Sequence, residues 1–497
     1  MSDYSLSYWQ HKAADLQIEG RAFIDGRYVP AVDGQTFACV SPIDGKTLAQ
    51  VASCAAQDAD LAVASARRAF ESGEWSRKAP ADRKAVLIRF ADLIEQHAEE
   101  LALLETLDMG KPISDALHVD VALTAQALRW NGEAVDKVYD EVAPTPPDQL
   151  GLVTREPVGV VAAIVPWNFP LMMASWKLGP ALATGNSIIL KPSEKSPLTA
   201  LRIAQLALQA GIPKGVFNVV PGYGHTVGKA LALHMDVDTL VFTGSTRVAK
   251  QLMVYAGESN MKRIWLEAGG KSPNIVFADA PDLHAAAESA AAAIAFNQGE
   301  VCTAGSRLLI ERGIKAQFLP LVVSALAQWK PGHPLDPETN VGALVDQQQL
   351  DTVLKYIQAG HEEGAKLLAG GKQVLQETGG VFVEPTLFEG VSNAMKIARE
   401  EIFGPVLSVI EFDTFDEAIA IANDTPYGLA AALWTSDISK AHLAARALRA
   451  GSVWVNQYDG GDMTAPFGGF KQSGNGRDKS LHAFDKYTEL KATWIKL

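Results

Sequence analysis

One cysteine of the chain stands in a segment that suits a nucleophile. Cys302 lies in FNQGEVCTAG, residues 296–305, where polar and glycine neighbours flank it. A reactive thiolate has to be reachable, and this setting allows it, whereas a lone cysteine is more commonly a small buried hydrophobe. From its neighbours alone, both interpretations of Cys302 stay open. Cys39 and Cys54 have no comparable setting and are predicted to be structural.

A carboxylate and an amide in two other turns would complete that chemistry. Glu267 lies in LEAGGKSP, residues 266–273, and a carboxylate desolvated there would have a raised pKa and serve as a general base. Asn168 lies in PWNFP, residues 166–170, where rigid prolines would hold its amide toward a developing oxyanion. The alternatives are a solvated surface glutamate and an ordinary turn asparagine.

Two glycine turns could hold the phosphates of a nucleotide. The turn Gly222–Gly228 follows the apolar run VFNVV and is one residue too long for the GxGxxG fingerprint. The turn Phe242–Thr246 also joins a predicted strand to a helix, and backbone N–H groups at a helix start suit a pyrophosphate. The segment Gly270–Ser272 is not a Walker A motif, because Trp265 stands where that motif needs glycine. Two such turns favour a dinucleotide at a sheet crevice, with ordinary βα turns as the alternative.

The elements that must position these residues alternate between strand and helix patterns. From about residue 158, short β-branched runs are separated by helical stretches of roughly 10–15 residues, which is typical of a doubly wound α/β domain. The alternation resumes after residue 300, so we predict two α/β domains with their seam near 262–270. Residues 81–108 are predicted to form one helix, and 490–495 an antiparallel strand apart from the main sheets. The predicted strands are 158–165, 187–190, 216–220, 239–243, 274–277, 306–311, 406–412, 429–434 and 451–456.

Composition and charge exclude several classes of protein. The 497-residue chain is 48% hydrophobic, enough for a large core, and its 44 Lys and Arg against 57 Asp and Glu give a net charge of −13. Proteins that bind nucleic acid through phosphates carry a basic surplus, so no nucleic-acid partner is expected. Three cysteines without a CxxC pair predict neither a disulfide framework nor a structural zinc site, and we expect no metal.

Membrane insertion and secretion are not expected either. The N-terminal segment is polar and lacks the apolar region of a signal peptide. The most apolar window, Gly159–Ala174, contains Pro166, Asn168 and Pro170, which a spanning helix would bury in lipid. We therefore expect a cytoplasmic protein with sparse, reduced cysteines. The strand at 490–495 would leave an open edge in a monomer, so a homodimer or homotetramer is expected.

Seven segments, in order, resemble the NAD(P)-dependent aldehyde dehydrogenase superfamily, and the similarity spans essentially the whole chain. One departure is Ala268, where the family commonly has leucine, an apolar exchange that should leave the base intact. The resemblance implies an α/β fold with two doubly wound Rossmann-like domains and a small β flap for oligomerisation. It implies an NAD-binding domain over 1–265 with flap strands near 140–157, a catalytic domain over 266–475 and an oligomerisation strand within 476–497. The segments are PWNFP (166–170), KPSE (191–194), FTGS (242–245), LEAGGKSP (266–273), NQGEVCTAG (297–305), EEIFGPV (400–406) and PFGGFKQSG (466–474).

The resemblance also implies roles for single residues. Cys302 would attack the aldehyde carbon, and Asn168 with the Cys302 backbone N–H would hold the oxyanion, while Glu267 would activate water for thioester hydrolysis. A carboxylate at Glu194 favours NAD over NADP, since it would repel a 2′-phosphate. Glu300 is expected to be solvated rather than to raise the pKa of the nucleophile. The implied cofactor-binding residues are Trp167, Lys191, Glu194, Gly224, Gly244, Ser245, Glu401 and Phe403.

The segments 459–466 and 473–491 resemble the aminoaldehyde branch, notably the γ-glutamyl-aminobutyraldehyde and 4-guanidinobutyraldehyde dehydrogenases of polyamine and arginine catabolism. Asp120, Asp459 and Asp462 at a tunnel mouth would pair with an ammonium or guanidinium group, unless the latter two only cap their loop. A general aliphatic aldehyde dehydrogenase is the main alternative. A CoA-acylating or non-catalytic relative is less favoured, because the reactive residues are retained. The expected substrate pocket comprises Asp120, Met173, Trp176, Phe296, Asp459 and Phe467.

Overall fold

Two seven-stranded sheets form the framework of the protein in the computed structural model, which describes residues 4–497. The central strands are parallel and buried on both faces, as expected for β-branched runs that helices cover from both sides. In spatial order the first sheet contains Arg263–Glu267, Thr239–Thr243, Val160–Ile164, Ser187–Lys191, Phe217–Val219, Ala22–Ile24 and Arg27–Val29. The second sheet contains, also in spatial order, Lys366–Ala369, Thr386–Glu389, Val406–Phe412, Arg307–Glu311, Pro273–Val276, Ala430–Trp434 and Ser452–Val455.

All nine predicted strands are confirmed, with their ends within two residues of the prediction. The predicted α/β class with two doubly wound sheets is confirmed as well. Three strands that lack a clear alternating pattern, Ala22–Ile24, Arg27–Val29 and Lys366–Ala369, pair antiparallel at the sheet edges. Two small antiparallel ribbons lie outside the main sheets, Thr36–Val40 with Thr47–Ala52 and Gln373–Val374 with Phe382–Val383.

The chain passes from one sheet to the other at the predicted seam. Arg263–Glu267 is the edge strand of the first sheet, whereas Pro273–Val276 lies inside the second. Between them the backbone N–H of Ala268 donates to the carbonyl oxygen of Ser473 at 2.8 Å. A late segment of the chain therefore returns from the second sheet and packs against the end of the strand that carries Glu267.

The tail of the chain forms a separate three-stranded antiparallel sheet. Thr488–Lys496 pairs along its whole length with Gln149–Pro157, and Glu141–Ala143 adds the third strand. The predicted tail strand is thus confirmed, and it lies apart from the two main sheets. Trp494 on this strand is 65% exposed, which leaves an apolar surface on the isolated chain.

The region 81–108, predicted as one helix, forms two helices, Pro80–Gln96 and Ala98–Met109. At His97 the backbone leaves helical geometry, with φ −104° and ψ 23°, and the ring lies 2.9 Å from Glu100 in the next helix.

None of the helices within residues 4–497 has the length and apolar run that crossing a bilayer requires. The remaining helices are Leu6–Ala14, Ala56–Ser72, Ile113–Asp115, Ala122–Ala134, Pro170–Ala183, Leu198–Ala210, Lys229–Leu233, Thr246–Glu258, Leu283–Ala295, Lys315–Leu326, Gln347–Glu362, Lys396–Arg399, Phe415–Asn423 and Ile438–Ala447, with π-helical turns at Ala116–Val121 and Gly224–Gly228.

Candidate active site

A cavity of about 360 Å³ lies between loops of the two sheets. Loops that follow three strands of the first sheet form one wall, and loops of the second sheet form the other. The three residues predicted to react, Cys302, Glu267 and Asn168, all line it. Other lining residues are Val119, Leu123, Trp167, Phe169, Met172, Met173, Trp176, Gly244, Ser245, Phe296, Thr303, Glu401, Phe403, Asp459, Phe467 and Asp478.

Cys302 lies half-buried in a loop whose backbone is held at uncommon angles. Asn297 and Gln298 have φ values of 47° and 57°, a region that few non-glycine residues adopt. Two hydrogen bonds hold this geometry. The Gly342 N–H donates to Gln298 Oε1 at 2.8 Å, and Asn297 Nδ2 donates to the carbonyl oxygen of Asn168 at 3.2 Å. The loop thus links Cys302 to the turn that carries the expected oxyanion donor, Asn168.

The surroundings of the Cys302 thiol favour its protonated form. Burial first, and then the negative charges of Asp459, Glu401 and Glu267, raise the pKa of this thiol. A cysteine attacks as the thiolate, so the site has to provide a group that takes the proton.

Glu267 provides a carboxylate in the same cavity, at the end of its strand. The side chain is 3% exposed, and neither carboxylate oxygen has a hydrogen-bond partner among the described residues. Glycine at 468 and 476 makes room for it, because a Cβ there would lie 2.7 or 2.9 Å from Glu267 Oε1. Burial, and next the charge of Asp478, raise the pKa of Glu267 well above its usual range. A carboxyl group whose pKa is raised is a better proton acceptor than an ordinary carboxylate, as a general base needs to be.

Asn168 is oriented by the segment that precedes the nucleophile. Its Nδ2 donates to the carbonyl oxygen of Glu300 at 2.8 Å, and because a carboxamide has two N–H groups, one remains for an oxyanion. The prediction that Glu300 is solvated is wrong. Its side chain is 0% exposed, its Oε1 accepts from the Val345 N–H at 3.0 Å, and burial raises its pKa. This carboxyl group ties the catalytic loop to the neighbouring segment of the second sheet.

The turn after Thr239–Thr243 presents a helix start to the cavity. The Ser245 hydroxyl caps the helix Thr246–Glu258 and accepts from the Val248 N–H at 3.4 Å. A Cβ at Gly244 would lie 2.5 Å from the Phe242 ring, so the close approach of the turn to that ring requires glycine. The first N–H groups of this helix are free for an anion, as a pyrophosphate site needs.

Lys191 and Glu194 lie at the end of the strand Ser187–Lys191, at the same edge of the first sheet, with Val160–Ile164 between this strand and Thr239–Thr243. Lys191 is 2% exposed, and its Nζ donates to the Pro192 carbonyl oxygen at 2.7 Å and lies 3.6 Å from Glu194 Oε2. Burial lowers the pKa of Lys191. An ammonium group has three donors, so further donors remain for ligand oxygens, while the partly exposed Glu194 can accept. This pair suits the vicinal hydroxyls of a ribose.

The turn Gly222–Gly228, which is one residue longer than the GxGxxG fingerprint, contains an unusual helical turn. Gly224–Gly228 forms a π-helical turn, which takes up the extra residue. A Cβ at Gly224 would meet no heavy atom of the described chain within 4 Å, whereas a Cβ at Gly228 would lie 3.5 Å from the Lys191 side chain. The surface at Gly224 is therefore open to a ligand, and Gly228 on the same turn packs beside Lys191.

On the other side of the cleft, three predicted cofactor residues meet. The rings of Trp167 and Phe403 pack edge to face with centroids 5.1 Å apart, and Phe403 has a φ of 57°. Glu401 Oε1 accepts from the Gly270 N–H at 3.1 Å, and a Cβ at Gly269 would lie 2.0 Å from Glu401 Oε2. Burial raises the pKa of Glu401 to about 7. All three residues line the cavity together with Cys302.

Aromatic and sulfur-containing side chains form the predicted substrate end. The rings of Trp176 and Phe467 pack edge to face at 5.2 Å, and Phe296 stacks on Phe169 at 6.2 Å. Met173 is buried beside them and lines the same cavity. This end suits an apolar substrate body and places it beside the nucleophile.

Of the three acids expected at the tunnel mouth, one lines the cavity. Asp459 lines it together with an adjacent cavity of about 190 Å³. Asp120 is fully buried behind the wall, where its Oδ1 accepts from Lys111 Nζ at 2.6 Å. Asp462 is exposed and caps its own loop, accepting from the Thr464 N–H at 2.7 Å. The fold therefore does not bring Asp120 and Asp462 to the cavity, because each is engaged by a nearer partner.

The family model described as "Aldehyde dehydrogenase family" matches residues 28–493. The chain belongs to the aldehyde dehydrogenase family. The NADP/NAD-dependent aldehyde dehydrogenase PuuC of Escherichia coli (strain K12) is 56% identical over 497 residues, which is all of both chains. A crystal structure of an indole-3-acetaldehyde dehydrogenase with NAD+ is 78% identical, with a TM-score of 0.99 over 99% of this chain and 100% of that one. A γ-glutamyl-γ-aminobutyraldehyde dehydrogenase from Burkholderia cenocepacia J2315 is 63% identical, with a TM-score of 0.98 over the same shares.

This aldehyde dehydrogenase oxidises an aldehyde to the carboxylic acid with NAD as its cofactor. The fold of two Rossmann-like sheets agrees with that of its relatives. Its own residues fit a dinucleotide: the helix start at Ser245, the open surface at Gly224 and the buried Lys191 ammonium with donors to spare lie along one sheet edge. The expected cofactor is thus confirmed.

Sequence reasoning missed several cavity residues of this aldehyde dehydrogenase. Phe169 and Met172 share a face with the predicted Met173 and Trp176, at spacings of three, four and seven residues from Phe169. That helical spacing was a signal in the sequence. Asp478 also lines the cavity, although it lies in the segment assigned to the tail. No local pattern marks it, because tertiary packing alone brings it there.

Proposed function

We propose that this enzyme oxidises aldehydes whose far end carries an ammonium, guanidinium or γ-glutamylamino group, of the kind formed in polyamine and arginine catabolism. The observation that carries this proposal is Asp459, a carboxylate shared by the catalytic cavity and the adjacent cavity. The apolar walls would hold the methylene chain while this carboxylate meets the cationic end. The 63% identical γ-glutamyl-γ-aminobutyraldehyde dehydrogenase supports the same substrate class.

In the proposed reaction the Cys302 thiolate forms a C–S bond to the aldehyde carbon, and the carbonyl oxygen becomes an oxyanion. The free N–H of the Asn168 amide and the backbone N–H of Cys302 hold this oxyanion, and one such donor is typically worth ~10²–10³ in rate. Bound NAD supplies the hydride acceptor that turns the thiohemiacetal into a thioester. The fixed loop angles keep the sulfur in place throughout.

Glu267 then acts as the general base for hydrolysis. Its unpartnered carboxylate takes a proton from a water molecule as the water oxygen attacks the thioester carbon. The C–S bond breaks, the carboxylic acid leaves, and the thiolate of Cys302 is restored. Retention of this buried carboxylate favours water over coenzyme A as the acyl acceptor.

Residues around the cleft are proposed to hold NAD in three places. The adenosine ribose would meet the Lys191 ammonium and the Glu194 carboxylate, and a carboxylate there disfavours the 2′-phosphate of NADP. The pyrophosphate would lie at the helix start after Ser245. The nicotinamide ribose would lie between Glu401 and Phe403. Trp167, Gly224 and Gly244 complete the set.

An aromatic aldehyde is a second candidate substrate. The cavity wall is built from indole, phenyl and thioether groups, which favour contact with a flat ring. The 78% identical relative is an indole-3-acetaldehyde dehydrogenase. Both candidates share the chemistry at Cys302 and differ only in what the substrate end of the cavity recognises.

A substrate panel tests the proposal and separates it from both alternatives. NADH absorbance gives kcat/KM for three aldehydes. 4-Guanidinobutyraldehyde has a cationic far end, hexanal is a neutral aliphatic aldehyde, and indole-3-acetaldehyde is a neutral aromatic one. We expect the guanidino aldehyde to exceed hexanal by about tenfold or more. Equal values would leave a general aliphatic enzyme as the better description, and a preference for the indole substrate would support the second candidate. Parallel assays with NADP and with coenzyme A test the cofactor preference and the acyl acceptor.

We also propose that the enzyme is a cytoplasmic homodimer or homotetramer. The tail strand Thr488–Lys496 exposes Leu490 and Trp494 on the isolated chain, and a second copy would cover them. The proposed divisions are a cofactor domain over 1–265, a catalytic domain over 266–475 and the tail over 476–497. Multi-angle light scattering at micromolar concentration tests this assembly. A stable monomer in that measurement would contradict it.

A further inference from the structure

Behind Glu267, three charged side chains form a buried cluster that the proposed chemistry does not use. Asp478 lies between two lysines, with its Oδ2 accepting from Lys177 Nζ and its Oδ1 from Lys486 Nζ. Their exposures are 1% for Asp478, 1% for Lys177 and 3% for Lys486. Burial alone would raise the pKa of Asp478, yet the two ammonium groups hold it below its usual value. This carboxylate is therefore ionised and held from both sides.

The cluster adjoins the proposed base. Asp478 lines the same cavity as Glu267, whose carboxylate lacks a hydrogen-bond partner among the described residues. Lys177, Lys486 and Arg477 oppose the effect of burial on Glu267, whereas Asp478 adds to it. The Cys302 thiol lines the same cavity as Glu267. Arg477 is only partly buried, so water screens the charge of Arg477 more strongly than the charges of the two buried lysines. The charge state of Glu267 therefore depends mainly on the three buried side chains of the cluster, Asp478, Lys177 and Lys486.

The charges of this cluster and of Glu267 balance only when both lysines are present. With Glu267 ionised, two carboxylates face two ammonium groups, and the buried set is neutral. A buried net charge is strongly disfavoured, and a group in such a place changes its protonation instead. Without Lys486, Asp478 would neutralise Lys177, and the negative charge of Glu267 would have no buried counterpart. Glu267 would then keep its proton.

Given the proposed role of Glu267 as general base, we propose that Lys486 is a positioning residue for it. Lys486 holds Asp478 in place and neutralises it, which leaves the Lys177 ammonium to balance an ionised Glu267. Lys486 ends the short helix Leu481–Lys486, directly before the tail strand. Docking of the tail therefore sets the charge balance behind the base.

The test follows hydrolysis of the acyl-enzyme itself. Enzyme mixed with NAD and hexanal is quenched at intervals, and intact-mass spectrometry gives the decay of the acyl form between about pH 5 and 9. In the wild type the decay rate should rise with pH to a plateau as Glu267 ionises. Lys486→Met should move the midpoint up by about one pH unit and slow decay about tenfold below it, with the NADH burst retained. Adding Asp478→Asn makes the buried set neutral again and should bring the midpoint back.

Three comparisons separate this role from a structural one. Lys262→Met removes another buried lysine, at the far end of the strand that leads to Glu267, and should leave the midpoint unmoved. A Lys486→Met enzyme with reduced stability or rate but an unmoved midpoint would overturn the inference, as would failure of both the single and the double variant to fold. If Glu267→Gln keeps the pH dependence of decay, the proposed base itself is wrong, and Lys486 loses its role with it.

Discussion

Replacing Asp459 with asparagine removes one negative charge from the substrate end of the cavity and keeps the shape of the side chain. If this carboxylate recognises a cationic substrate end, Asp459→Asn should lower kcat/KM for 4-guanidinobutyraldehyde and leave hexanal almost unchanged. The guanidino substrate is the better probe, because amino aldehydes cyclise when neutral. The ratio of the two kcat/KM values isolates the charge, since any general damage to the enzyme affects both substrates.

The surroundings of Asp459 set the size of this effect. A hydrogen bond to a charged group contributes ~1.5–3 kcal/mol, and each ~1.4 kcal/mol is tenfold, so a well-buried contact would give about ten- to hundredfold. Asp459 is exposed, and water and salt screen it. The positive charge of Lys479, whose Nζ lies 5.0 Å from the Trp176 ring centroid, also acts on Asp459 and competes with a cationic substrate end. We therefore expect the lower end, about tenfold.

The assay is steady-state NADH formation with both substrates at low and high salt. Asp462→Asn is the matched control, because it removes the same charge from the same loop at an exposed, loop-capping position. The wild-type preference should shrink in high salt, and only Asp459→Asn should abolish it. A preference that survives in Asp459→Asn, or that falls equally in both variants, would refute recognition by this carboxylate.

Three further changes follow from the site. Cys302→Ala should abolish NADH formation while calorimetry still detects NAD binding; substantial remaining turnover would exclude this residue as the nucleophile. Glu267→Gln should give a burst of NADH and then slow turnover, because loss of the base slows thioester hydrolysis more than the steps before it; equal slowing of all turnovers, with no acyl-enzyme by mass spectrometry, would contradict that role. Asp120→Asn should destabilise the fold by about 1–3 kcal/mol in thermal denaturation, since the buried Lys111 ammonium loses its nearer carboxylate and keeps only Glu105 Oε1 at 3.5 Å, and should leave the guanidino preference unchanged. If a stably folded Asp120→Asn enzyme lost the guanidino preference, Asp120 would have to contribute to substrate recognition.

Local patterns in the sequence predicted much of the framework and the reactive residues. β-Branched runs separated by helical stretches indicate buried parallel strands, because both faces of such a strand need apolar side chains, and all nine predicted strands formed. The turns that carry Cys302, Glu267 and Asn168 were visible as glycine or proline breaks at strand and helix ends. Asn168 and Glu267 lie at the carboxyl ends of parallel strands of the first sheet, and such ends meet at one edge. Cys302 instead precedes the strand Arg307–Glu311 of the second sheet, so only the packing of the two sheets brings it to the same cavity.

Charge partners across the fold were beyond the reach of the sequence. Asp120 lies in the largely apolar segment ALHVDVAL, whereas Asp459 and Asp462 lie in a glycine-rich one, and all three were expected at the tunnel mouth. Only the structure shows that the first pairs with Lys111 and the last caps a loop. Glu300, expected in solvent, is buried because its carboxyl group accepts from the backbone of a segment 45 positions away.

The sequence by itself determined the α/β class, the positions of the strands along the chain and the family, and it pointed to the three residues of the proposed chemistry. Tertiary structure alone decided which carboxylates are free, because burial and ion pairing depend on contacts between segments distant in the chain. Asp478 makes this plain: its partner Lys177 lies 301 positions away, and only their shared burial beside Glu267 brings them into the environment of the base. Periodicity reports what one segment does, whereas the charge state of a buried group is a property of all the segments around it.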